Sequence, residues 1–139
     1  PTGVVLKLDV IVEIHRRLPN THLVMHGSSS VPRVLVEIIN KYGGSLKESF
    51  GVPVEAIQKG IQHGVRKINV DTDNRLAITG AIRKVFAESP GKFDPRDYMK
   101  PARAAMAEVV KARMVAFGQA GQAGNVPIKS LDEMTSYYT

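Results

Sequence analysis

The chain has 139 residues, 43% hydrophobic and 23% charged, a composition typical of globular proteins. It contains no cysteine, which excludes disulfides and thiolate metal sites, so a bound metal must rely on histidine and carboxylate ligands. The net charge is +6, but the 19 Lys and Arg are scattered and do not alternate with aromatic residues, so we predict no nucleic-acid partner. The sequence shows neither a long apolar run nor a signal-peptide pattern, so we expect no membrane partner and a cytoplasmic location.

The first third of the chain predicts a helix, a strand and a second helix. Apolar residues at helical spacing predict a helix over residues 9–18, and residues 21–25 predict a strand. Pro32 fits the first turn of the next helix, and glycines at 43–44 end it. We expect this second helix to bury one apolar stripe, made of Val34, Leu35, Ile38 and Ile39.

The rest of the chain continues the alternation of helix and strand. The predicted elements are a helix over 54–62, a strand over 65–70, a helix over 72–88, a long helix over 94–117 and a helical turn after a capping-box pattern at 130–133. This order is typical of an α/β fold with parallel strands joined by right-handed crossovers. Two strands cannot cover their own faces, and a complete (β/α)8 barrel needs about 250 residues. The chain is therefore predicted to be part of a larger fold.

Small and polar residues follow the first predicted strand. His26 would lie at the carboxyl end of that strand, where barrel enzymes place their chemistry, and a neutral imidazole is a good metal ligand. Gly27 permits close approach of a ligand, and Ser28 and Ser29 supply donors at a helix N-terminus, where anions bind. A lone histidine is more often a buried residue bonded to backbone, but the glycine and serines favour a binding site. His22 would lie roughly 13 Å from His26 along the strand, so one ion cannot bind both.

A second group of polar residues follows the second predicted strand. Asn69 and Asp71 are two residues apart and would project together, whereas Val70 would point into the packing layer. Thr72 at the following helix start could offer a hydroxyl and an amide to a phosphate. Arg75, one turn further, could reach an anion from the rim, although an exposed arginine is usually just solvated. The alternative for this segment is a capping turn without any ligand.

A lysine that forms a Schiff base would be the alternative to a metal for carbon–carbon bond chemistry. Lys67 is the obvious residue to consider. We expect it at the start of the second strand, away from the edge that carries His26, which makes it a poor candidate.

Several stretches of the chain resemble the class II, metal-dependent fructose-bisphosphate aldolases. The matching stretches occur in family order and cover nearly the whole chain: 18–32, 69–73, 79–83, 93–96 and 116–118. The similarity is greatest to the branch found in bacteria with a Calvin cycle. The resemblance implies that residues 1–139 are the C-terminal part of one TIM (β/α)8 barrel domain, with its last two βα units and C-terminal helices. The N-terminal part would be absent from this chain.

The resemblance also implies roles for the residues at the two strand ends. His26 would be one of the Zn²⁺ ligands, and the phosphate of dihydroxyacetone phosphate would be held by Gly27, Ser28, Ser29 and Thr72. The remaining contacts to substrate would come from Asn69, Val70, Asp71 and Arg75. Arg75 would reach the far phosphate of the sugar in a neighbouring subunit's site, which implies a homo-oligomer. The other zinc ligands and the aspartate that acts as acid and base would lie upstream of Pro1, so no catalytic residue is expected in this chain.

The implied activity is a lyase reaction of glycolysis, gluconeogenesis and the Calvin cycle. Fructose 1,6-bisphosphate is cleaved to dihydroxyacetone phosphate and glyceraldehyde 3-phosphate, or formed from them, with zinc polarising the ketone and stabilising the enediolate. Alone, this chain should bind zinc poorly and catalyse nothing, because it needs the N-terminal half of the barrel. Two alternatives remain: a related aldolase acting on tagatose 1,6-bisphosphate, and a non-catalytic half-barrel that only docks a partner.

Overall fold

The computed structural model describes residues 5–136 and shows alternating helices and strands in that range. The elements are α1 (Leu8–Arg17), β1 (Leu23–Met25), α2 (Arg33–Lys41), α3 (Val54–Gln62), β2 (Val65–Ile68), α4 (Thr72–Glu88), α5 (Pro95–Ala116), a 3₁₀ helix (Ala123–Asn125) and α6 (Leu131–Thr135). The predicted order is confirmed, while the 3₁₀ helix has no counterpart in the prediction. Among the described residues, no helix combines the length and apolar character needed to cross a bilayer.

The strands β1 and β2 pair in parallel, which confirms an α/β arrangement with a crossover through α2 and α3. Leu23 is opposite Val65 and Met25 is opposite Ile68. Parallel pairing places the carboxyl ends of both strands at one edge of the sheet. The segments that follow Met25 and Ile68 therefore start side by side.

The second strand is shorter than predicted. It ends at Ile68, although the backbone N–H of Asn69 still donates to the Met25 carbonyl oxygen at 3.0 Å. Asp71 has φ −121° and ψ −55° and occupies the N-cap position of α4. The prediction that Asn69 and Asp71 project together from one strand is wrong, because the strand ends at Ile68 and Asp71 is already the N-cap of α4.

The core beneath this edge is small. Met25, Val52, Ile57 and Val65 form a buried cluster between the sheet and α3, against which Phe117 packs from the end of α5. Burial of these apolar side chains supplies the main stabilisation of the sheet. The pairing of the two strands is thus fixed by contacts on one face.

A second packed region joins α2 to α4. Ile39 and Gly80 are buried there, and Ile38 lies directly over Gly80. The prediction that Val34 belongs to the buried stripe is wrong, because its side chain is 59% exposed. Nothing in the described part of the chain covers the first turn of α2 at Val34.

Local capping interactions fix the ends of α5 and α6. The Asp94 carboxylate accepts from the Arg96 backbone N–H at 2.9 Å, and Pro101 lies inside α5 without ending it. The Arg96 guanidinium and backbone N–H lower the pKa of Asp94. The stabilisation that the ionised Asp94 gives the folded chain is therefore present above the ordinary pKa of 3.8, and it is lost as the pH falls through the lowered pKa. Ser130 and Glu133 form the predicted capping box at α6.

Replacing Gly80 with valine should destabilise the protein by about 1–3 kcal/mol. A Cβ atom at Gly80 would lie 3.0 Å from Ile38 Cγ2, and the branches of valine would overlap the facing helix. The free energy of unfolding, measured by denaturant titration, checks this expectation. Gly91→Val is the matched control, since a Cβ at Gly91 meets nothing within 4 Å. Equal losses in both variants would contradict the close packing of α2 on α4.

Candidate functional site

The carboxyl ends of β1 and β2 bring His26 and Asn69 into contact. Asn69 Nδ2 lies 2.8 Å from His26 Nδ1, and Lys67 Nζ donates to Asn69 Oδ1 at 2.7 Å. A lysine ammonium can only donate, so it fixes the Asn69 amide with its NH₂ group towards His26. His26 Nδ1 must then accept from this NH₂ group, so its lone pair points at Asn69 and reaches a metal ion only when that hydrogen bond is released. A neutral imidazole lone pair is the form in which histidine binds a metal ion.

Lys67 lies closer to this edge than the sequence suggested. It pairs with Val24 within the sheet, and its side chain runs to Asn69 instead of remaining at the start of the strand. The prediction that Lys67 lies away from the site is therefore wrong. Its contact with Asn69 gives it a part in orienting the amide.

The segment after β1, residues 27–31, is named the serine loop here. Gly27 has φ +62° and Val31 has φ +51°, so the loop enters and leaves through left-handed backbone conformations. Ser28 is buried, and its hydroxyl donates to the His26 carbonyl oxygen at 3.2 Å. The Ser28 hydroxyl is thus directed into the loop and not towards a ligand.

The serine loop is supported from behind by the segment before α3. The Val52 backbone N–H donates to the Ser29 carbonyl oxygen at 3.1 Å. Gly51 passes so close that a Cβ atom there would collide with the backbone of Ser29 and Ser30. The carbonyl side of the loop is therefore fixed against residues 51–52.

Ser29 connects the serine loop to the start of α4. Its Oγ accepts from the backbone N–H groups of Asp71 and Thr72 at 3.2 and 3.1 Å. Backbone N–H groups at a helix start attract anions through their own polarity and the helix dipole. The segments that follow the two strands therefore meet where the Asp71 and Thr72 amides bind the Ser29 hydroxyl oxygen.

The start of α4 is flanked by an exposed ion pair, Asp71 with Arg75, and by the half-buried Val70. Arg75 Nη2 lies 2.7 Å from Asp71 Oδ2, and both side chains are largely exposed. The Asp71 carboxylate makes no capping bond to α4. Val70 is half-buried and faces α5. The pair of Asp71 and Arg75 thus lies at the rim, available to solvent and to ligands.

Two residues of this region were missed by sequence reasoning as parts of the site. Sequence reasoning assigned Asp73 no role in binding, yet it is fully buried and accepts from the backbone N–H groups of Ser30 and Val31. Arg113 of α5 forms an ion pair with Asp73 at 2.9 Å. The polar run 71–73 gave a local signal for Asp73, whereas Arg113 lies 40 residues further on, in a helix without any motif.

A zinc site requires three or four protein ligands. Within residues 5–136, no three His, Cys, Asp or Glu side chains are grouped so that they could hold a metal ion. His26 can supply a single ligand, through an Nδ1 lone pair that accepts from the Asn69 amide in this structure. The other ligands of a zinc ion would have to come from outside this range.

Comparison with known proteins supports one family. Residues 1–122 match the family described as fructose-bisphosphate aldolase class-II. The fructose-bisphosphate aldolase of Nostoc sp. is 56% identical over 138 residues, which are 99% of this chain and 38% of the relative. Fructose-bisphosphate aldolase 2 of Cereibacter sphaeroides is 53% identical, with 99% of this chain and 39% of the relative covered. Fructose-bisphosphate aldolase class 2 of Synechocystis sp. is 54% identical, with 99% and 38% covered. The chain thus spans less than half of these curated relatives and corresponds to their C-terminal part.

Proposed function

The chain belongs to the class II fructose-bisphosphate aldolase family, and we propose that it forms the C-terminal part of an enzyme that cleaves fructose 1,6-bisphosphate. The products would be dihydroxyacetone phosphate and glyceraldehyde 3-phosphate. The contact of His26 Nδ1 with Asn69 at 2.8 Å carries this proposal. This contact places the His26 imidazole, a potential metal ligand, next to the Asn69 amide, a potential substrate contact, and both lie beside the serine loop.

The fold proposed for residues 1–139 is the C-terminal part of a (β/α)8 barrel, with about its last two βα units and the C-terminal helices. Parallel strands joined through helices support this proposal, as does the grouping of polar residues at the carboxyl edge, where barrel enzymes bind substrate. Val24 on β1 is about half exposed, as are Val10 and Leu18 near α1. The N-terminal part of the barrel would cover such apolar surface, and we name the longer protein that contains both parts the complete enzyme.

His26 would supply one ligand to Zn²⁺, and the N-terminal part would supply the others. Zinc, when bound, acts as a Lewis acid that polarises the ketone of the sugar phosphate and stabilises negative charge on its oxygen. The amide of Asn69 would hold the imidazole before zinc binds and a substrate oxygen afterwards. Lys67 keeps that amide oriented through its bond to Asn69 Oδ1.

The serine loop and the start of α4 would bind the phosphate of dihydroxyacetone phosphate. Gly27 leaves open space, since a Cβ atom there would meet nothing within 4 Å. The Asp71 and Thr72 amides both donate to the Ser29 hydroxyl oxygen, and a phosphate oxygen would take its place on these two donors. Ser28 would contribute through its backbone, because its hydroxyl is bonded to His26.

Asp71 and Arg75 would recognise the rest of the sugar bisphosphate. The Asp71 carboxylate would accept a hydrogen bond from a substrate hydroxyl, and the adjacent Val70 would complete the wall of the site. Arg75 would bind the far phosphate in the site of a neighbouring subunit, which requires a homo-oligomer. Its exposed guanidinium supports this role, and it would have to leave Asp71 to reach a partner.

The proposal is tested by metal removal from the complete enzyme. Incubation with a chelator should abolish cleavage of fructose 1,6-bisphosphate, and added Zn²⁺ should restore it. Activity that survives chelation and is destroyed by borohydride in the presence of substrate would instead show a lysine Schiff base. Faster cleavage of tagatose 1,6-bisphosphate than of the fructose isomer would keep the metal chemistry but change the substrate.

A further inference from the structure

We propose that Asp73 and Arg113 are positioning residues that hold the serine loop in the geometry that binds the substrate phosphate. The inference rests on the proposed function and adds two residues to which neither the family resemblance nor the comparisons assign a role. Asp73 lies in the first turn of α4, and Arg113 lies in the last turns of α5.

The first observation is the burial of this ion pair. The Asp73 side chain is 0% exposed and that of Arg113 is 17% exposed. A buried carboxylate is costly unless it is paired and its oxygens accept hydrogen bonds. The pair thus differs from Asp71 and Arg75, which lie 69% and 76% exposed at the rim.

The second observation is how the Asp73 carboxylate is satisfied. The Val31 backbone N–H donates to Oδ1 at 2.8 Å, and the Ser30 backbone N–H and hydroxyl donate to Oδ2 at 3.2 and 3.0 Å. Arg113 donates to Oδ2 from Nη2 at 2.9 Å, and it also donates to the Ser30 hydroxyl oxygen. One carboxylate therefore ties the serine loop to both α4 and α5.

The third observation is the backbone of Val31. Its φ of +51° lies in the left-handed region, which a β-branched residue strongly disfavours. Such a conformation persists only where the surroundings over-determine it, and it concentrates at functional sites. The bond from the Val31 N–H to Asp73 is the contact that holds this conformation.

The consequence concerns the phosphate-binding amides. Ser29, next to the clamped residues Ser30 and Val31, carries the hydroxyl that lies against the Asp71 and Thr72 amides. If Asp73 releases Val31, the backbone can relax to negative φ, and the loop moves away from the start of α4. The phosphate would then lose the alignment of its donors, while His26 and the zinc ligands would keep theirs.

The test is a split between KM and kcat in the complete enzyme. Asp73→Asn should raise the KM for fructose 1,6-bisphosphate about 10- to 100-fold, since losing one hydrogen bond to the charged phosphate weakens binding by about that factor. Binding of inorganic phosphate, measured by calorimetry, should weaken by a similar factor, while the zinc content stays at the wild-type level. Arg113→Lys should show a smaller rise in KM, because lysine keeps the charge but loses the second donor nitrogen.

The matched control is Asp97→Asn, which removes an exposed ion pair with Lys92 at the start of α5 and should leave KM unchanged. An unchanged KM with a kcat that falls in proportion to folded protein would overturn the inference, because it would show a purely structural pair. If Asp73→Asn does not fold, an unchanged KM and phosphate affinity in Arg113→Lys overturns it equally. A wild-type enzyme that binds phosphate but does not cleave the sugar would refute the proposed function alone.

Discussion

Replacement of His26 by alanine in the complete enzyme should remove the bound zinc and lower kcat by at least about 100-fold. Loss of residues that merely support a metal ligand costs roughly 10- to 100-fold in activity, so loss of a ligand itself should cost at least as much. His26 is exposed at the sheet edge, and its ring contacts Asn69 without entering the core. The fold should therefore survive the change, and the loss should be confined to metal binding.

The measurement pairs zinc content with cleavage kinetics. Zinc is determined by elemental analysis after gel filtration, and kcat by a coupled assay for dihydroxyacetone phosphate. His22→Ala is the matched control, because His22 is exposed near the other end of β1 and should not contact the ion. Full zinc occupancy and unchanged kcat in His26→Ala would contradict the assignment of His26 as a ligand.

Replacement of Asp71 by asparagine should lower kcat/KM by about 10- to 100-fold while leaving stability unchanged. An isolated exposed ion pair contributes little to stability, and the pair of Asp71 and Arg75 is of that kind. The carboxylate also makes no capping bond to α4. Its proposed contact is to a hydroxyl of the substrate, so the effect should be visible in catalysis alone.

The control for this variant is Glu37→Gln, which removes another exposed pair spaced four residues apart on a helix, with Arg33 at 2.8 Å. Both variants should unfold at nearly the same temperature as wild type, and only Asp71→Asn should be impaired in catalysis. Equal activity of the two variants would show that Asp71 serves no purpose beyond its surface ion pair.

The features that sequence predicted correctly are those determined by neighbouring residues. The boundary of α3 at Val54–Gln62 and the capping box of Ser130 and Glu133 follow from helical spacing and local side-chain bonds. The parallel pairing followed from the alternation of helix and strand. The contact of His26 with Asn69 was not predicted, although parallel strands end at a common edge.

The features that were missed depend on partners distant in sequence. Asp73 is bonded to residues 42 and 43 positions earlier and to Arg113, 40 positions later, and no local pattern encodes such contacts. Two misses are of another kind: the Lys67 side chain turns to the Asn69 amide only two residues away, and Val34 is exposed because no described neighbour lies over it. Burial of a charged pair and strain at Val31 are properties of the assembled fold.

The central claim is that this chain supplies one zinc ligand and the phosphate-binding segments of an aldolase, with the rest of the site on an N-terminal part. The most direct test is complementation of residues 1–139 with the N-terminal part of the Nostoc sp. aldolase, co-expressed in a strain without aldolase. We expect zinc-dependent cleavage of fructose 1,6-bisphosphate only when both parts are present, and none when this chain carries His26→Ala. Cleavage by the 139-residue chain alone, or equal complementation by the His26→Ala chain, would contradict the claim.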